Sequence, residues 1–498
     1  MNDNGMQSVS LTFAAGRLRP GEVRLLGVRA REWISRLFEI DLYLERGAGP
    51  FTDDELDTLF SVPVAVALGP SPGDVFRGVL AGIRRLDASR SEAGLYVARV
   101  VPTAWLLTLA RTNRIFQDLT VPEVVASVLA GYRLAPERDY LILARGKSPK
   151  REYVVQYEES DWDFIQRWLE HEGLYYWFEH HGEREVLVIS DSAGDATPMQ
   201  DPSAIRYRSR NNLDAGAEAS VTDWEMVQRR IPARVAVFDY NYRTPQVRLR
   251  ARATADDKTG FGTVMRYGDH VKTVDEGAAV AKIHAERLFA GRRTYLGRTD
   301  CSRVHAGHQF SLADHDEREQ NRKYLITSVT HEVGEMPDEA PRRNEARFEA
   351  IPLDVQYRPE AVTPWPSIHG VMHGHIAADG SGKFAEIDAQ GRYKVSLPFD
   401  SGNVRGAATS RWIRMAQPHA GPGYGTHHPL HKGTEVLVAF IDGDPDRPII
   451  VGAVPNPHTQ SPSTRQNATQ SVIRTASGIH LEMEDQATAG TTAQGGKR

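Results

Sequence analysis

Reactive side chains are densest at residues 170–183, "EHEGLYYWFEHHGE", where two His–Glu neighbours flank five apolar or aromatic residues. Such a stretch suits a metal centre, an aromatic binding platform, or the seam between a helix and a hairpin. A zinc-binding helix needs His-Glu-x-x-His, so that both imidazoles leave one face. Here His171 is followed by Glu172 and Gly173, and the next histidines, His180 and His181, come only after an aromatic run. Helical ligand spacing is absent, and the residues read as a solvated helix end and a hairpin tip. Within the run, Tyr176 and Phe178 face one side of a strand and Tyr175 and Trp177 the other. That fits core on one face and a helix or subunit contact on the other.

Other candidates weaken in the same way. "IDGDPDRP" offers Asp442, Asp444 and Asp446 at the spacing that begins a calcium loop. Arg447 then stands where the sharp-turn glycine belongs, and Ala453 where the bidentate glutamate should be. An acidic turn between two strands accounts for it. "AGPGYG" (Ala420 to Gly425) leads into "THHPLHKG" rather than a helix, whereas a phosphate cradle needs a helix N-terminus beneath it. "GSGK" (Gly380 to Lys383) lacks the first Walker glycine and the following Ser or Thr. His369, His373 and His375, with His427, His428 and His431, could bind a metal only if a barrel gathered them. Cys301 is the single cysteine, so no internal disulfide forms. The expectation is no catalytic, cofactor-binding or metal-ligating residues, and no cofactor.

The elements that would position these residues are mostly strands. "VSLTFAAG", "PVAVALG", "LYVARVVP", "EVLVIS" and "RVAVFDYNY" alternate between turn clusters, as short antiparallel strands do. Four helices are announced by caps: Thr52, Thr120, Ser160 and Thr273 each precede an acid by three residues (Glu55, Glu123, Asp163, Glu276). Stops follow at Gly131, Gly173 and Gly291. Pro352, Pro359, Pro364 and Pro366 then mark a linker, because proline removes backbone donors. Beyond it, about five strands in under ninety residues predict a small closed barrel of the OB kind. The tail recovers alternation in "SGIHLEMED", and "ATAGTTAQGGKR" is expected to be disordered.

Composition is that of a soluble chain: 498 residues, 40% hydrophobic and 25% charged, with mean hydropathy −0.44. The net charge of −5 excludes a nucleic-acid partner held by bulk electrostatics. No run of apolar residues approaches membrane-spanning length, and the first residues lack the pattern of a signal peptide.

In chain order, four stretches resemble the VgrG family, the spike protein of the bacterial type VI secretion system. They are "YEESDWDFIQRWLEHEGLYYWFEH", "RYGDHVKTVDEGAAVAKIHAERLFAGRRTYLGRTDCSRVHAGHQFSL", "WIRMAQPHAGPGYGTHHPLHKGTEVLVAFIDGDPDRPIIVGAVPN" and "SVIRTASGIHLEMED". The resemblance implies a mainly β fold: a hub-like pair of β-barrel domains with a few helices, followed by a small OB-fold barrel. It places the hub at 1–355, a proline-rich linker at 356–370, the OB barrel at 371–456, and the start of a β-helix needle with its tail at 457–498. It implies a non-enzymatic homotrimer that caps the hexameric Hcp tube and delivers effectors by puncturing target envelopes. Further implied partners are baseplate components, effector and adaptor proteins and a PAAR tip protein, with no nucleic acid. The protein would stay cytoplasmic until assembly, then be secreted or injected without a signal peptide. Family needles are written in Val-x-Val and Gly repeats, and the chain stops where these would start, so the resemblance implies either a truncated sequence or a member lacking the C-terminal needle. The alternatives are the hub of a contractile phage tail or extracellular injection particle and, less favoured, a cell-wall-degrading enzyme.

Overall fold

Apolar residues recur at every second position in Val23–Trp33, Glu39–Arg46, Val75–Arg85 and Gly94–Val101, and all four segments are strands. The computed structural model describes residues 10–13, 22–68, 75–86, 94–146, 148–182, 184–199, 204–209, 219–336, 343–402 and 409–486. The "ATAGTTAQGGKR" tail lies outside them. The chain divides into two units: residues 1–111, 119–150 and 159–365 form the first, and 112–118, 151–158 and 366–498 the second.

In the first unit a single hydrogen-bonded sheet of thirteen strands runs through two halves. One half holds the four strands above with Ser10–Phe13 and Pro63–Ala67. Val23–Trp33 then pairs with Lys323–Gly334, which starts the other half. There Lys323–Gly334 bonds to Arg343–Pro352 on one edge and to His308–Ala313 on the other. Arg293–Thr299, Ser220–Gln228 and Ala204–Tyr207 complete the circuit, so six strands close into a barrel. Register shifts at Leu25/Gly27, Leu80/Gly82 and Ile326/Ser328 supply the local bending that curved sheets require. Gly27 and Gly334 face each other where the halves join. A Cβ on Gly27 would lie 2.4 Å from the Glu335 carbonyl oxygen, so only glycine permits the approach. Tyr295, Phe310, Tyr324, Phe348 and Cys301 fill the barrel.

All four capped helices form: α1 (Asp53–Phe60), α2 (Val121–Gly131), α3 (Asp161–Glu172) and α4 (Val274–Ala290). Each predicted cap oxygen accepts the backbone N–H three residues on, and Gly173 ends α3 at φ +70°. A three-stranded sheet, Leu249–Thr254, Arg234–Asp239 and Thr263–Tyr267, packs one face on α4 through Val235, Val237 and Leu249 against Val280, Ala281 and Ala285.

The second unit is the small barrel. Lys394–Ser396, Val371–Ala377, Glu435–Phe440 and Pro448–Ala453 form its sheet, and residues around Trp412 close it by bridging Tyr393 to Ile413 and Met415 to Ile450. Ile376, Tyr393, Val395, Val436, Val438 and Ile450 are its core. Residues 112–118 and 151–158, far away in sequence, belong to this unit. Ile115 and Tyr157 pack on its core, the Val155 N–H donates to Asp446 Oδ1 at 2.6 Å, and Ser401 N–H donates to the Asn113 carbonyl. The fold is therefore mainly β, with a β-barrel and a C-terminal OB-fold domain.

Candidate functional site: a buried polar seam and an open sheet face

The stretch at 170–183 is buried along most of its length, which corrects the expectation of a solvated helix end. Amphipathic α3 turns Trp162, Phe164, Ile165, Trp168 and Leu169 inward, and its last turn is covered as well. His171 Nε2 donates to the Asp269 carbonyl at 3.0 Å. Glu170 accepts from the backbone N–H groups of Val362 and Thr363, from the Thr363 hydroxyl and from Gln166 Nε2. Arg287 donates to the carbonyls of Glu170 and Pro359, and Arg358 to that of Gly173. Trp365 closes this clamp. It stacks on His270 at 4.8 Å, meets Trp168 edge-on at 5.0 Å, and lies under the Arg167 guanidinium at 4.5 Å. Proline removes donors from residues 356–365, and these charged and aromatic groups fix that segment instead.

Both faces of the following strand are covered. Tyr176 meets Trp162 and donates to Gln166 on α3, while Tyr175 and Trp177 enter a core with Leu325 and Ile351. The Trp177 ring lies over Gly307, where a Cβ would sit 2.2 Å from Cγ and φ is +87°, so glycine is required there. Glu179 accepts from Trp177 Nε1 at 2.6 Å, from the Thr197 hydroxyl, and from His308 Nε2 at 3.1 Å. Burial pushes the Glu179 carboxyl up, but His308 and these donors outweigh it and hold its pKa at about 2.

Beside it, His305 Nδ1 donates to Glu32 at 3.0 Å, His331 Nε2 donates to the Val304 carbonyl at 2.8 Å, and His180 Nδ1 accepts from the Arg77 N–H. Phe76 contacts the rings of His180, His305 and His331. Burial drives His180 down to about 3. For Glu32 burial acts upward, yet pairing with His305 leaves its pKa below the ordinary value. The imidazoles and carboxylates are thus engaged with one another and with backbone, and they join Val23–Trp33, Val75–Arg85 and the aromatic hairpin to the loop before His308. Their geometry is that of a latch, with no nucleophile–base pair among them.

The remaining candidates disperse. Asp442, Asp444 and Asp446 form the turn between Glu435–Phe440 and Pro448–Ala453, with Asp444 paired to Arg447 and Asp446 holding Val155. His373 pairs with Glu435, His427 bridges Gln417 and Tyr393, and His431 lies against Phe384. "AGPGYG" is a two-stranded hairpin turning at Gly423. Gly380 takes a left-handed conformation, and Lys383 lies over the Phe384 ring.

One surface went unnoticed in the sequence: the solvent side of the Leu249–Thr254, Arg234–Asp239, Thr263–Tyr267 sheet. Cross-strand register sets Thr254, Arg234 and Thr263 in one row, Arg252, Ala236 and Met265 in the next, and Arg250, Phe238 and Tyr267 in the third. The signal was legible in "VRLRARAT", where arginine recurs at every second residue.

A closed six-stranded β-barrel continuous with a second six-stranded sheet, followed by an OB barrel, defines the hub-and-injector class of contractile tail proteins. Residues 31–337 match the family described as phage tail baseplate hub (GPD), and residues 384–454 the type VI secretion system/phage-baseplate injector OB domain. The chain is 30% identical over 492 residues to the type VI secretion system spike protein VgrG1a of Pseudomonas aeruginosa, covering 95% of this chain and 74% of that protein. It is 30% identical to VgrG1c of the same organism, of which it spans 65%. Among solved structures, an E. coli protein, c3393, described as a component of the type VI secretion system with similarity to T4 tail proteins gp27 and gp5, aligns with TM-score 0.64. That alignment has 23% identity and covers 89% of this chain and 100% of that one. The tail protein of Neisseria meningitidis MC58 aligns at TM-score 0.51 and 12% identity over 70% of this chain and 98% of that one. The chain belongs to the VgrG family of type VI secretion system spike proteins.

Proposed function

We propose that this protein is the trimeric hub and neck of a type VI secretion spike, seated on the hexameric Hcp tube and carried into the target with its effectors. In this reading residues 1–355 form the hub apart from 112–118 and 151–158, which belong with the OB unit, 356–370 form the connection, 371–456 the neck and 457–498 the start of the needle. The role is mechanical. The buried polar groups described above are engaged with one another rather than directed at a substrate, which supports a load-bearing function without catalysis. No described helix is long and apolar enough to cross a membrane.

The observation that carries the trimer is the hairpin of Gln470–Arg474 and His480–Glu484. Its register places Ile473 opposite Leu481 and Ser471 opposite Met483, so one face is apolar. Ile473, Leu481 and Met483 are nonetheless exposed. An isolated two-stranded hairpin is marginal in water, and equivalent faces from further copies would cover it. Light scattering tests this: three times the 55.4 kDa of one chain is expected, with co-sedimentation on Hcp rings. A monomer that ignores Hcp would sink the reading, and peptidoglycan turnover by the purified protein would overturn the mechanical role. A phage-tail hub is the second reading, favoured by the fold likeness to the Neisseria tail protein. Binding to a phage tube protein in preference to Hcp would select it.

A further inference from the structure

The three-stranded sheet packed on α4 has one covered face and one open face. Arg234, Arg250, Arg252, Met265 and Tyr267 stand exposed on the open side, Met265 at 73% and Tyr267 at 64%. Apolar side chains exposed beside polar ones mark interaction sites on soluble proteins. The charge around them is one-sided. Residues 229–267 carry nine Lys and Arg against three Asp, a net +6 in a chain whose total is −5. Two of those acids are buried and engaged: Asp239 accepts from the Val271 N–H, and Asp256 pairs with Arg292. Arg234, Arg250 and Arg252 form no ion pair among the described residues, and Arg250 lies over the Phe238 ring at 4.9 Å.

Cross-strand register sorts these side chains across the face. Arg250 and Arg252 lie on Leu249–Thr254, Ala236 and Phe238 on the middle strand, and Met265 and Tyr267 on Thr263–Tyr267. The two outer strands are about 10 Å apart, the width of one α-helix with its side chains. Along each strand, residues two apart repeat at about 6.7 Å, and residues four apart on a helix repeat at about 6 Å. A helix seated along Arg234–Asp239 therefore meets arginines on one flank and apolar side chains beneath it and on the other. The opposite face already takes a helix, α4, through Val235, Val237 and Leu249.

We infer that the open face docks an amphipathic helix of a partner protein, about three turns long, whose apolar stripe is bordered by carboxylates on one flank. The stripe would lie over Ala236, Phe238, Met265 and Tyr267. Carboxylates at i and i+4 would meet Arg250 and Arg252. Single-stranded nucleic acid is the competing polyanion, and it stacks successive bases on open rings. Here the central ring, Phe238, is already beneath Arg250, which favours the helix. The inference goes beyond the spike reading and does not depend on the trimer.

Fluorescence anisotropy of the full chain tests it with a labelled peptide of about three turns, cross-linked to hold its helix. The peptide carries leucine along one stripe and glutamates at i and i+4 on one flank. It should bind, and added salt should weaken binding through screening. A scrambled peptide of the same composition and a version with lysine for glutamate should not bind. Arg250→Glu with Arg252→Glu should weaken binding by about tenfold or more and admit the lysine peptide instead. Met265→Glu with Tyr267→Glu should weaken binding of the acidic peptide by a similar factor. All four positions are solvent-facing, and an unchanged circular dichroism spectrum would show that the variants fold. No binding, binding that survives scrambling or either pair of substitutions, or tighter binding of single-stranded DNA would overturn the inference. So would substitutions that change the oligomeric state, because a second copy would then cover this face.

Discussion

Two β-hairpins of this molecule are built from similar material and meet opposite fates. Tyr175–His181 with Arg184–Ser190 has seven residues per strand, and Gln470–Arg474 with His480–Glu484 has five. Tyr175, Tyr176, Trp177 and Phe178 of the first are all buried, whereas every residue of His480–Glu484 is exposed. Neither hairpin is stable by its own hydrogen bonds. The difference lies in what covers them. The first is enclosed by α3, by Gly307 and by the histidine latch of its own chain. The second presents Ile473, Leu481 and Met483 to water, uncovered by its own chain among the described residues. One hairpin is thus a buried seam of its own chain, and the other is the surface that the proposed trimer would cover.

The largest test of that contrast is Trp177→Ala. It empties the space over Gly307 and removes a donor from Glu179, so a loss of about 3–5 kcal/mol is expected. Urea unfolding followed by circular dichroism measures it. A loss below about 1 kcal/mol would place the hairpin among ordinary surface elements and break the comparison.

Glu170→Ala acts on the clamp. Three part-buried donors from residues 362 and 363 lose their acceptor, at about 0.5–1.5 kcal/mol for each hydrogen bond. Faster proteolysis within residues 356–365, with the cores intact, is the expected readout. Unchanged cleavage would mean that Trp365 and the arginines suffice.

Acid titration dissects the latch. Glu179 has a folded pKa of about 2, below its unfolded value, so its stabilisation is present above the ordinary carboxylate range and is lost as pH falls toward 2. His180 has a folded pKa of about 3, below the ordinary histidine value, so the unfolded chain binds the extra proton and stability falls as pH drops from about 6.5 towards 3. Glu32, Glu179, His305 and Arg77 face it and set the balance with burial. His180→Phe should flatten the upper part of this range and Glu179→Gln the lower part. The same slopes in wild type and both variants would remove the latch from the account.

Much of the fold was legible in the sequence, and physical reasons explain what was not. Thr52, Thr120, Ser160, Thr273 and Gly173 act through neighbours three residues away or through their own backbone, so a local pattern sufficed. The solvated reading of His171 failed because its cover comes from Asp269, His270 and Trp365, about a hundred residues or more downstream, which no local period reports. The place of residues 112–118 and 151–158 in the OB unit is hidden from a local pattern for the same reason: their attachment runs through Asn113, Val155 and Tyr157 to Ser401, Asp446 and Phe399. The arginine alternation at 248–252 was legible, but only the register shows that Arg250 and Arg252 share a face with Met265 and Tyr267 across the intervening Arg234–Asp239 strand.

The smallest expected change in fold stability accompanies a large change in assembly. Leu481→Glu with Met483→Glu touches side chains that are about half exposed, so the unfolding free energy of each unit should shift by no more than about 0.5 kcal/mol. In a trimer the same residues would meet their copies, and six carboxylates gathered from three chains would repel one another in an apolar setting. Light scattering should therefore show monomers with unchanged circular dichroism. A variant that remains trimeric would move the assembly contact to another part of the chain. A variant that unfolds would show that the hairpin is covered within its own chain, and the contrast between the two hairpins would collapse.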